Sequence, residues 1–152
     1  MKVSVITLHH VRNYGSLLQT YATQQVLKKI GCDVEIIDYV PRGLTLKYGI
    51  LTIKSKGNFV KNIVRKSVAA ITFTVQQLTM IRFLNQYVNL SDQTYNSFSE
   101  LKDNPPKADV FLSGSDQIWN TQNYNLPDDV KGYYLQFVPM GGRKIAYASS
   151  IG

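Results

Sequence analysis

The sequence predicts a three-layer α/β domain with a mostly parallel sheet, and three features carry that expectation. An apolar strand passes through a turn into a helical segment and out again into a second apolar strand. Later in the chain another strand-like run ends in small polar residues, and a fourth run lies near the end. The connections in the first unit are short, so strand, helix and strand form a βαβ unit, which requires parallel strands and a right-handed crossover.

Val3, Val5, Ile6 and Leu8 make the first strand, buried on at least one face. His9 to Gly15 reads as a turn, punctuated by Asn13 and Gly15. Leu17, Leu18, Ala22, Val26, Leu27 and Ile30 recur at helical spacing, and Gly31 stops the helix after Lys28-Lys29. Asp33 to Val40 is the second strand, closed by Pro41 and Gly43. The middle is less regular: residues 44–57 read as loop or a short hairpin, while 59–79 and 81–88 read as helical, with Phe83, Leu84, Tyr87 and Val88 as an apolar stripe. Asn104-Pro105-Pro106 is a rigid turn before a third strand over Asp109 to Ser113, and Lys144 to Ser149 makes a fourth. The chain stops directly after it, where a parallel sheet would continue into a loop and helix, so residues 1–152 are expected to be one domain of a larger protein.

Composition narrows the function classes. With 44% hydrophobic and 18% charged residues the chain is globular in character. The single cysteine, Cys32, excludes an internal disulfide and a cysteine-built metal site, and suits a reducing compartment. No apolar run reaches the length of a membrane span, and Val3 to Leu8 alternates too strongly for a signal segment, so a cytoplasmic location is expected. The net charge of +7 is concentrated: Arg42, Lys47, Lys54, Lys56, Lys61, Arg65, Lys66 and Arg82 lie in a stretch without any acidic residue. Such a field attracts anions, either phosphorylated substrates or the cytoplasmic face of a membrane. Aromatic residues are too sparse there for base stacking, so no nucleic-acid partner is expected.

In open parallel sheets ligands gather outside the C-terminal ends of the strands, and two polar clusters fall there. The first runs from His9 through His10, Asn13, Tyr14 and Gly15 to Ser16. Gly15 allows close backbone approach, the helix start offers free amides, and Asn13 or Ser16 is placed to cap it. The second is Ser113-Gly114-Ser115-Asp116-Gln117-Ile118-Trp119-Asn120, which presents a carboxylate, an amide and hydroxyls on a small turn. A carboxylate there can take the proton from a hydroxyl nucleophile, and Asp116 is the candidate general base. Capping of a following helix is the alternative role for Asp116. No metal site is expected, because His9 and His10 need a third ligand and Asp116 is the only candidate. Neither a dinucleotide fingerprint nor a Walker loop is present, and Gly114-Ser115-Asp116 lacks the nucleophile elbow.

At these two clusters the chain resembles the polysaccharide pyruvyl transferase family. Asn13-Tyr14-Gly15-Ser16-Leu17-Leu18-Gln19-Thr20-Tyr21-Ala22 is similar to that family's first turn and helix, and Gly114-Ser115-Asp116-Gln117-Ile118-Trp119-Asn120 matches its strongest signature throughout. Ala146-Tyr147-Ala148-Ser149-Ser150-Ile151-Gly152 is similar to a further family strand. The resemblance implies a Rossmann-like domain forming the first half of a GT-B-like two-domain architecture. It also implies transfer of a pyruvyl (enolpyruvyl) group from phosphoenolpyruvate to a sugar hydroxyl of a polysaccharide or its lipid-linked precursor, with no cofactor. Asp116 is then the catalytic residue, and His9, Asn13, Tyr14, Gly15, Ser16, Gly114, Ser115, Gln117, Asn120 and Ser149 line the substrate side. The cations that hold phosphoenolpyruvate belong to the second half, supplied by a C-terminal domain in cis; Arg12 and Arg42 match no such clamp. A glycosyltransferase using a nucleotide sugar and a non-catalytic glycan-binding domain are the alternatives.

Overall fold

In a computed structural model, which describes residues 1–11, 13–41, 59–120 and 128–151, five parallel strands form one sheet in the order β3-β2-β1-β4-β5. The strands are β1 (Lys2–Ile6), β2 (Asp33–Tyr39), β3 (Leu90–Tyr95), β4 (Val110–Ser113) and β5 (Arg143–Ala146). The helices are α1 (Tyr14–Lys29), α2 (Phe59–Tyr87), α3 (Phe98–Asp103) and α4 (Val130–Tyr133), with α2 side chains described from residue 70 onward. The chain builds outward from β1 to β3, then returns to the other side of β1 for β4 and β5. The order therefore reverses between β1 and β4, and the crevice at their C-terminal ends is the place for a ligand.

Alternation along the strands divides the core into two layers. Val3, Val5, Val34, Ile36, Val110 and Leu112 face α1 and α2, where Leu17, Met80, Leu84 and Val88 close the layer. Ile6, Ile37, Tyr39 and Phe111 face the opposite side, covered by Leu101, Ile118, Val130, Tyr133 and Phe137. Ile37 and Tyr39, two residues apart on β2, share the second layer by the same alternation, although the register of β2 against β3 shifts between Ile36 and Asp38. Helices on both faces of a parallel sheet give the expected three-layer Rossmann-like domain.

Several elements differ from the sequence reading. The two helical runs after residue 59 are one continuous helix, Phe59–Tyr87. Strand β3 was not expected, because Ser91, Asp92, Gln93 and Thr94 give a sheet-edge strand little apolar signal. Helix α3 is short and is started by Ser97, whose Oγ accepts the Glu100 N–H at 3.2 Å. The last strand is β5 (Arg143–Ala146), and Ser149 contributes only an isolated bridge to Asp116. On α1 the apolar spacing misleads: Leu18, Val26 and Ile30 are exposed, and the sheet-facing positions are Leu17, Thr20 and Gln24. Gln24 is completely buried because it joins two elements. Its Nε2 donates to the Tyr87 carbonyl at 2.9 Å and its Oε1 accepts the Asn89 N–H at 2.7 Å, satisfying backbone groups at the end of α2.

Candidate functional site

The crevice between β1 and β4 is closed by backbone before any side chain enters it. Ile6 pairs with Ser113, and the Gly114 N–H then donates to the Ile6 carbonyl at 2.8 Å. A Cβ on Gly114 would lie 3.0 Å from Thr7 Cβ and 3.3 Å from the Ile6 oxygen, so any larger residue would force the two loops apart by a few tenths of an ångström. The next residue but one, Asp116, has φ 106°, a conformation costly for a side-chain-bearing residue. Neighbouring contacts hold it there. The Ser150 N–H donates to the Asp116 carbonyl at 3.0 Å, the Trp119 N–H donates to the Ser150 carbonyl at 3.1 Å, and Ile118 is buried in the core.

Helix α1 brings the partner. Asn13 is the N-cap: its Oδ1 accepts the Gly15 N–H at 2.8 Å, and Ser16 in the first turn then points inward. Ser16 Oγ donates to Asp116 Oδ2, and the Gln117 N–H donates to Asp116 Oδ1 at 2.8 Å. Two residues a hundred positions apart thus meet at the switch point, leaving a half-buried carboxylate with both oxygens oriented and each keeping an accepting lone pair.

The remaining residues divide by accessibility. Tyr14, Gly15 and Gln117 are exposed and Asn120 is half-buried at the same sheet end. Ser149 acts as a tie: its Oγ donates to the Gly114 carbonyl at 2.9 Å, beneath the turn that carries Asp116. Ser115 is buried, with no hydrogen-bond partner for its Oγ among the described residues. It lines a cleft of about 380 Å³ with Leu112, Tyr147 and the outer face of α1. Arg12 and Arg42 lie outside the described residues, as do Lys47, Lys54 and Lys56 and the side chains of Lys61, Arg65 and Lys66.

His9, expected on the substrate side, is completely buried and faces Asp38 of β2. The residue that converges on both histidines is Asp38, not Asp116. His9 Nε2 lies 3.0 Å and His10 Nε2 2.8 Å from the same oxygen, Asp38 Oδ1. Thr94 Oγ1 donates to Asp38 Oδ2, and the Thr7 carbonyl lies 3.1 Å from His9 Nδ1. Burial lowers the His9 pKa, outweighing the opposing effect of Asp38. Burial alone would raise that of Asp38, but hydrogen bonds from His10, His9 and Thr94 hold it far below the usual carboxylate range. The sequence carried a signal for this cluster: an aspartate between Ile37 and Tyr39 in an apolar strand is a buried charge and needs partners.

Among the described residues no helix is long and apolar enough to cross a membrane. No curated protein and no solved structure matches the chain. Residues 13–152 match the family described as Polysaccharide pyruvyl transferase, a span that begins at the N-cap of α1 and includes the turn that carries Asp116. With nearly its whole length inside that match, and with the parallel sheet and the switch-point carboxylate in place, this chain belongs to the polysaccharide pyruvyl transferase family.

Proposed function

We propose that this domain carries the acceptor side of a pyruvyl transfer from phosphoenolpyruvate to sugar hydroxyls of a polysaccharide or its lipid-linked precursor. The observation that supports it is the Ser16–Asp116 pair, fixed at the switch point by a capped helix on one side and a strained turn on the other.

The chemistry asks for such a pair. The methylene carbon of phosphoenolpyruvate takes a proton, and the adjacent carbon becomes electrophilic. An acceptor hydroxyl oxygen bonds to that carbon and loses its proton. A second hydroxyl then displaces phosphate, closing a ketal and releasing one inorganic phosphate. Asp116 receives the proton of the attacking hydroxyl, while Ser16 Oγ–H and the Gln117 N–H hold the carboxylate in line. In this reading the sugar is contacted by Tyr14, Gln117 and Asn120, which reach solvent at the same sheet end. The groups that protonate and clamp phosphoenolpyruvate belong to a second domain in cis, and the basic stretch from Arg42 to Arg82 draws the domain to anionic lipid on the cytoplasmic side.

The test is phosphate release from phosphoenolpyruvate by the full-length protein, with soluble and lipid-linked glycan acceptors. Acceptor-dependent release that falls at least about a hundredfold in Asp116→Asn supports the reading. Turnover of a nucleotide sugar without phosphate release from phosphoenolpyruvate would move the assignment to glycosyl transfer.

A further inference from the structure

The cluster on the β1–β2 side has a hydrogen-bonding problem that a proton solves poorly. Both neighbours of the His9 ring are acceptors, the Thr7 carbonyl 3.1 Å from Nδ1 and Asp38 Oδ1 3.0 Å from Nε2, and a neutral imidazole has one ring hydrogen to give. Whichever nitrogen carries it, the other turns its lone pair toward an oxygen that repels it. Making His9 an imidazolium would remove the repulsion but place a second charge in a completely buried position. His10 approaches the same oxygen at 2.8 Å, with the two rings edge to face at 4.4 Å between centroids, so a charged His9 would also crowd its neighbour.

We propose that His9, His10 and Asp38 form a binding site for one divalent cation of the zinc class. All three donor atoms lie within 4.8 Å of one another, and a cation at their focus converts the opposed lone pairs into ligands. Two imidazole nitrogens and one carboxylate oxygen are a donor set for zinc or cobalt rather than calcium or magnesium. The surrounding contacts are those such ligands need: the Thr7 carbonyl fixes the His9 tautomer, and Thr94 Oγ1 holds the other oxygen of Asp38. His10 is the half-exposed member, and a fourth position on its side stays open to water or an anionic oxygen. The cation would brace the loop from Thr7 to Asn13, which leads into the helix carrying Ser16. The site does not depend on the pyruvyl-transfer reading, because none of its donors is Asp116 or Ser16.

The test uses the untagged full-length protein, stripped with a chelator and titrated with Co²⁺. One equivalent is expected to produce the visible absorption of nitrogen-ligated cobalt, and one equivalent of Zn²⁺ to abolish it. His10→Ala, checked for folding by circular dichroism, is expected to weaken binding more than tenfold, and Thr94→Val by about tenfold. No absorption in the wild type, or equal binding in His10→Ala, overturns the proposal and leaves the cluster an internal ion pair. Should His10→Ala fail to fold, histidine ¹⁵N shifts in the wild type decide. Movement of both Nε2 signals on adding Zn²⁺ supports the site, and movement of neither overturns it.

Discussion

The two flanks of β1 carry polar clusters built in opposite ways. On the β4 side a hydroxyl meets a carboxylate that is half-exposed, and the backbone around it is strained and tightly tied. On the β2 side two imidazoles meet a carboxylate that is almost enclosed. The first cluster reaches solvent and can meet a substrate. The second is turned inward and can only hold something small. Strain on the open side accords with the reacting role proposed for Asp116, whereas burial on the closed side ties Asp38 to stability.

The contrast can be broken by exchanging readouts. Asp116→Asn should abolish most acceptor-dependent phosphate release, by about two to four orders of magnitude, with the melting temperature nearly unchanged, since asparagine tolerates positive φ. Asp38→Ala should show the reverse emphasis. It leaves His9 buried without its carboxylate and unties Thr94, so chemical denaturation should report a loss of roughly 3 kcal/mol. A stability loss in the first variant equal to that in the second would erase the distinction between the flanks.

Smaller effects sharpen it. Gly114→Ala pushes a methyl group against Thr7 and the Ile6 carbonyl. A cost of about 1–3 kcal/mol in denaturation is expected, with activity falling further because the turn carrying Asp116 moves. Asn13→Ala removes the cap of α1 and should cost about 1 kcal/mol, measured by thermal unfolding. Because Asn13 stands between the histidines and Ser16, a shift in Co²⁺ affinity in this variant would reveal that the two flanks communicate through the loop.

Much of this was legible in the chain. The βαβ opening, the strand over residues 110–113 and the turn around Asp116 are contiguous, and their signals are local: alternation, glycine punctuation and a capping residue. The pairing of Asn13 to Ser16 with the Asp116 turn followed from the rule that both loops emerge at one end of a parallel sheet. Less legible were elements whose polar residues have structural duties. Gln24 on α1 was obscured by exposed Leu18 and Val26, and β3 by its run of polar residues.

The sequence by itself determined the strand and helix periods, the parallel topology they imply and the family signature at Asp116. Tertiary structure alone decided that Ser16 closes onto Asp116, that His9 is wholly buried, and that Asp38 is the group both histidines face. The physical reason is separation along the chain. Periodicity and capping act over a few residues, whereas these contacts join residues 28 to 100 positions apart and exist only once the sheet has set its order and register.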